Sequence, residues 1–187
     1  MQRGKVMSLY ATPLTTLDGE KTTLAQWQGD VLLVVNVASK CGLTPQYEQL
    51  EALQKQYHRQ GFNVIGFPCN QFLEQEPGDE QAIKTFCSTT YGVSFPMSSK
   101  IDVNGAQRHP LYQQLIAAQP QATAPEGSGF LERMVSKGRA PQQTGDILWN
   151  FEKFLIDRQG NVVARFSPDM SPDDAQIVGQ IEKALAA

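Results

Sequence analysis

Val31-Leu32-Leu33-Val34-Val35-Asn36-Val37-Ala38 decides the fold of this 187-residue chain. The run is short, apolar on both alternating faces and rich in β-branched residues. It reads as a strand buried from both sides, with Asn36 its one polar interruption. Gln28-Gly29-Asp30 supplies a turn before it. After Ser39 to Leu43, the spacing of Tyr47, Leu50, Leu53 and Tyr57 predicts a helix over Pro45 to Gln60. Thr44 is the expected N-cap, Pro45 the first helical residue and Gly61 the stop. Phe62 to Phe67 is a second strand. A strand–helix–strand unit of this size implies a parallel pair with a right-handed crossover.

Further along, a helix is expected over Asp79 to Tyr91, with Ile83, Phe86 and Cys87 on one face and Gly92 ending it. Phe151 to Ile156 and Asn161 to Phe166 read as a hairpin turning at Asp157 to Gly160. Pro172 to Ala186 reads as a closing helix. Asp18-Gly19 within Thr15 to Thr23 suggests an N-terminal hairpin. The class is therefore α/β: a central mixed sheet flanked by helices, in the arrangement of a thioredoxin-like fold. Residues 1–187 are expected to form a single domain. The stretch 120–146, with Pro120, Pro125, Pro141 and several glycines, is expected to be a long surface insertion with one helical turn near Phe130 to Val135. Its Phe130, Leu131, Met134 and Val135 either cover the chain's own sheet or meet another subunit, so oligomeric state stays open.

Composition excludes several function classes. Sixteen basic and 19 acidic residues give a net charge of −3 with no basic stripe, so no nucleic-acid partner is expected. No apolar run is long enough to span a bilayer. Met1 to Leu9 lacks a signal-like apolar block and is read as uncleaved, and the protein as cytoplasmic. Three cysteines, Cys41, Cys69 and Cys87, cannot form a complete disulfide set. No C-x-x-C pair exists, and His58 and His109 lie far from any cysteine in sequence, so neither a metal nor another cofactor is implied.

Cys41 sits between a buried strand and a helix start, beside Lys40. Backbone N–H groups and the helix dipole favour a thiolate there. On position alone it reads equally as a reactive thiol or as a small turn residue. The local sequence adds to this. Asn36-Val37-Ala38-Ser39-Lys40-Cys41-Gly42-Leu43-Thr44, Gly66-Phe67-Pro68-Cys69-Asn70-Gln71-Phe72 with Gln75-Glu76-Pro77-Gly78, and Trp149-Asn150-Phe151-Glu152-Lys153-Phe154-Leu155 resemble, in order, the signatures of the glutathione peroxidases.

The resemblance implies a cysteine-type peroxidase active in oxidative-stress defence. Cys41 would attack a hydroperoxide, while Gln75, Trp149 and Asn150 supply donors that stabilise anions without protonating them. Gln71 is a rival for Gln75 in the same segment. Cys87 matches the family's resolving cysteine, and a Cys41–Cys87 disulfide would require its helix to unwind locally. Cys69 reads as a packed thiol. The basic cluster that glutathione-using animal enzymes carry is replaced here by Pro168-Asp169-Met170, which favours thioredoxin over glutathione as reductant. Lys40, Arg133, Lys137 and Arg139 remain as cations able to attract an anionic thiol. Three alternatives exist. A thiol–disulfide oxidoreductase would normally have a cysteine where Thr44 stands, a non-catalytic small-molecule binding protein would keep only a vestigial site, and a cysteine hydrolase would need His58 or His109 near Cys41.

Overall fold

The computed structural model describes residues 8–187. The N-terminal reading of Met1 to Leu9 therefore falls almost wholly outside the described residues. Two short strands, β1 (Leu14–Thr15) and β2 (Lys21–Thr22), form the N-terminal hairpin. Gly19 turns it with φ 85°, a left-handed conformation that glycine adopts without a Cβ clash.

The central sheet takes β3 (Val31–Val37), β4 (Phe62–Pro68), β5 (Lys153–Ile156) and β6 (Val162–Phe166) in the order β4-β3-β5-β6. β3 and β4 run parallel, with Val31 opposite Phe62 and Val37 opposite Pro68. β5 is antiparallel to both β3 and β6, which makes the sheet mixed. All residues of β3 and β4 are buried, as a two-sided apolar run requires. This is the expected thioredoxin-like architecture.

Helix α1 (Gln46–Tyr57) and the C-terminal α5 (Ala175–Ala186) cover one face. Tyr57 packs edge-on against Phe62 and its hydroxyl donates to Glu182 of α5 at 2.8 Å. The other face is covered by α3 (Pro110–Ala118), whose Tyr112 meets Phe67 and Phe154 at 5.8 and 6.1 Å. The sequence reading did not assign α3. Its signals were Pro110 at the first turn and the buried set Leu111, Tyr112, Leu115 and Ile116. The ring of His109 accepts the Leu111 N–H, so this histidine is a cap, far from any hydrolase role.

Three expectations change in detail. Helix α1 begins at Gln46, and the Thr44 hydroxyl does not cap it but binds the Cys41 loop. The second helix is α2 (Glu80–Phe86), capped by Asp79, and it passes into a π-turn over Cys87–Tyr91 before Gly92. Within 120–146, α4 (Phe130–Ser136) buries Phe130 and Met134 and leaves Leu131 and Val135 exposed. Among the described residues, no helix is long and apolar enough to cross a membrane.

Three charged residues, Glu152, Lys153 and Arg165, are buried at or beside β5 and β6. Glu152 pairs with Arg165, which also donates to the carbonyls of Gln119, Gly145 and Asp146, tying the insertion to β6. Lys153 Nζ donates to the carbonyls of Pro168 (3.1 Å) and Met170 (2.5 Å). Gln46 Nε2 at the start of α1 donates to the same Pro168 carbonyl at 2.8 Å. Burial holds the Lys153 ammonium down at about 7. Between about 7 and its ordinary value, the unfolded chain keeps a proton that the native chain has released. Native stability due to Lys153 therefore rises with pH in that window, by up to about 1.4 kcal/mol per pH unit. Urea titrations at pH 7 and pH 9 should show this rise in wild type and its absence in Lys153→Met.

Candidate active site

Cys41 lies in the connection from β3 to α1, buried, with its thiol free. The loop is shaped by Thr44. Its hydroxyl accepts the Cys41 N–H at 2.9 Å and donates to the Ala38 carbonyl at 2.8 Å. This closes the chain into a tight turn and leaves the Leu43 N–H aimed at Cys41 Sγ, 3.3 Å away.

The segment after β4 meets this loop. The Lys40 N–H donates to the Gln75 carbonyl at 3.0 Å, and the Ser39 N–H donates to Glu76 Oε1 at 3.2 Å. Gln75 is thereby fixed one residue from Cys41. Its Oε1 accepts Asn150 Nδ2 at 2.9 Å, so Gln75 and Asn150 form one amide pair. The pairing occupies the Gln75 acceptor and leaves its NH₂ group unengaged among the described residues. Gln71 is placed elsewhere. Its Oε1 accepts from Val103 and Asn104, and its Nε2 donates to the Asn104 carbonyl, so it clips two loops together.

Trp149 and Asn150 precede β5 and are held by Asn36 of β3. Asn36 Nδ2 donates to the Trp149 carbonyl at 3.0 Å, and the Asn36 carbonyl accepts the Phe151 N–H at 2.6 Å. Trp149 is 7% exposed, packs on Phe72 at 5.3 Å, and its indole N–H bonds to no described residue. The structure thus joins Gln75 and Asn150 directly, ties both segments to the Cys41 loop and β3, and sets Trp149 next in chain.

Backbone strain gathers here. Leu73, Glu74 and Phe151 have φ of 54°, 53° and 68°, left-handed values that cost a side-chain-bearing residue roughly 1–2 kcal/mol each. They immediately precede Gln75 and follow Asn150. The chain is bent out of its relaxed form on both sides of the amide pair.

Cys87 opens the π-turn, 3% exposed, against Tyr47 of α1. It lines a cavity of about 350 Å³ with Leu14, Phe67, Val93 and Phe95, a cavity that Cys41 does not line. Burial pushes its thiol up to about 11, with the Tyr47 hydroxyl a smaller opposing influence. Burial likewise pushes Cys69 up to about 11, and its thiol packs toward Gln71 Oε1. Glu76 is buried, and burial raises its carboxyl. Asn36 and Thr44 were not singled out as site residues from sequence. A carboxamide inside an otherwise apolar strand was the available signal for the first. Among the described residues, no cluster of His, Cys, Asp and Glu could hold a metal ion.

Comparison with known proteins places the molecule. Residues 9–116 match the family model described as glutathione peroxidase. The chain is 65% identical to the thioredoxin/glutathione peroxidase BtuE of Escherichia coli (strain K12), over 96% of this chain and 98% of that one. It is 46% identical to the hydroperoxy fatty acid reductase gpx1 of Synechocystis sp., over 95% and 96%. Among solved structures, T. cruzi GPX1 superposes with a TM-score of 0.69 at 37% identity, over 97% of this chain and 98% of that chain.

Replacing Thr44 with valine keeps the shape and removes the hydroxyl, leaving a buried N–H and carbonyl unpaired. Thr44→Val should lower the unfolding free energy by about 2 kcal/mol in a urea titration, and Thr44→Ser by less than about half of that.

Proposed function

From the premise that this chain belongs to the glutathione peroxidase family and is a thiol peroxidase, we propose that it reduces hydrogen peroxide and organic hydroperoxides through a Cys41–Cys87 disulfide that thioredoxin re-reduces. The observation that carries this reading is the Gln75–Asn150 pair, anchored to the Cys41 loop through Lys40, with the Gln75 NH₂ group unengaged among the described residues.

The Cys41 thiolate attacks one peroxide oxygen. An S–O bond forms, the O–O bond breaks, and the departing oxygen leaves as water or an alcohol after taking up a proton. Donors from Gln75, Trp149 and Asn150 steady the charge that builds on that oxygen. Cys41 is left as a sulfenic acid. The Cys87 thiolate then attacks the Cys41 sulfur, forming S–S and releasing the oxygen as water. A dithiol reductant returns both thiols and takes the two electrons' worth of oxidation away as its own disulfide.

Two features support the resolving role of Cys87. A thiol held at about 11 has almost no thiolate at neutral pH while it stays packed. The π-turn that begins at Cys87 is a five-residue element at a helix end, and its opening exposes the thiol and returns it toward its ordinary acidity. The reductant choice rests on the loop after β6. Asp169 there is bound by Ser128 at 2.6 Å and by Ser167, so the loop presents a carboxylate where an anionic thiol would need a cation. The relative named for hydroperoxy fatty acids is in line with organic hydroperoxides as substrates.

Cys87→Ser should retain a single round of peroxide consumption and lose thioredoxin-supported turnover by at least about 100-fold. Unchanged steady-state turnover with thioredoxin would remove Cys87 from the cycle. Trp149→Phe keeps an aromatic ring and removes the N–H. Its second-order rate with peroxide, read by stopped flow, should fall by about tenfold or more.

A further inference from the structure

The insertion reaches the site through Arg139. Helix α4 ends in a paired-hydrogen-bond turn: the Gly138 N–H donates to the Val135 carbonyl at 3.0 Å and the Arg139 N–H to the Met134 carbonyl at 2.8 Å. Gly138 takes φ 71°, which the turn requires. Arg139 is therefore placed by a fixed backbone. Its guanidinium lies over the Trp149 ring, 5.3 Å from the centroid.

Stacking uses the flat face of a guanidinium and leaves its in-plane N–H donors free. Among the described residues, the Arg139 side chain has no ion-pair partner and no hydrogen-bond acceptor. The neighbouring charges are already matched. Arg108 binds Asp146 at 2.5 Å, and Asp146 also accepts the Gln143 N–H. Arg139 and Trp149 line one groove of about 620 Å³ with Phe72 and Leu73. Leu73 is 57% exposed and held there by its left-handed backbone, so with Phe72 it gives the groove an apolar patch beside polar lining.

Resting on the peroxidase reading above, we propose that Arg139 is a specificity-determining residue that binds the carboxylate of organic hydroperoxides carrying an anionic end on an apolar chain. The apolar patch of Phe72 and Leu73 takes the chain. The half-buried, unmatched guanidinium takes the carboxylate in a charge-assisted bond, and its stacking on Trp149 ties that anchor to the site. The chemistry at Cys41 is unaltered. What Arg139 adds is preference among substrates.

The test compares a hydroperoxy fatty acid with its methyl ester, in which one methyl group replaces the negative charge. The readout is the second-order rate of Cys41 oxidation in the reduced protein, which needs no reductant. In wild type the free acid should react about tenfold faster than the ester, the scale of one charge-assisted hydrogen bond, and added salt should narrow the gap. Arg139→Gln should bring the ratio close to one, and Arg139→Lys should leave an intermediate value. Arg133→Gln, which removes the same charge from α4, should leave the ratio as in wild type. An unchanged ratio in Arg139→Gln overturns the inference. So does an equal loss on both substrates, which would mean that Arg139 acts only through Trp149. A loss confined to glutathione-supported turnover overturns it too, because Arg139 would then bind the reductant. Failure of wild type with every hydroperoxide would instead strike the peroxidase reading on which the inference rests.

Discussion

One buried carboxamide organises this molecule. Asn36 is the only polar residue of β3 and is wholly buried near the end of that inner strand. It holds the backbone on both sides of Asn150, through its side chain to Trp149 and its carbonyl to Phe151. Inside a low-dielectric core such bonds are strong, and leaving them unmade is costly. The clasp therefore fixes where the chain enters β5, which in turn decides that Asn150 meets Gln75. Every polar candidate except Cys41 and Cys87 depends on it.

The core carries more charge than its apolar strands suggest. Glu152 and Arg165 are matched to each other, and Arg165 spends its other donors on three carbonyls in two separate segments. Lys153 is caged by carbonyls of the loop after β6. Groups of this kind stabilise little in net terms, because desolvation offsets much of the attraction. Their effect here is positional. They attach the long insertion and the final loop to the two strands whose leading end bears Trp149 and Asn150. The left-handed backbone at Leu73, Glu74 and Phe151 borders residues held by other bonds, Lys40 and Asn150 to Gln75 and Asn36 to Phe151, and a strained conformation survives only where its surroundings enforce it.

The strands, the crossover and the final hairpin were legible in the sequence because periodicity and turn residues are local signals. α3 escaped because its apolar set directly follows a proline within a polar, histidine-containing stretch. Thr44 before Pro45 has the look of a helix cap, whereas its hydroxyl is taken by the Cys41 N–H three residues earlier in the chain. The candidate site residues were named from motif likeness and not from physics alone. What joins them is long-range: Asn36 to Trp149, Gln75 to Asn150, Arg139 over Trp149. No spacing rule encodes such contacts. Asn36 came nearest to being legible, as a polar residue that an all-apolar strand does not need.

The order of strands also sets a timetable. β3 lies between β4, which follows it closely in sequence, and β5, which follows only after the whole insertion. During synthesis, at roughly 5–20 residues per second, the β5-facing edge of β3 stays unpaired for on the order of ten seconds. An apolar, uncovered strand edge is a template for wrong pairing with another nascent chain. Asn36 interrupts that edge with an amide whose native partners have not yet been made. Ribosome-bound chains that stop short of Phe151 carry Cys41 but no Asn36 clasp, so the Cys41 thiol is translated long before Trp149 and Asn150 are set in place.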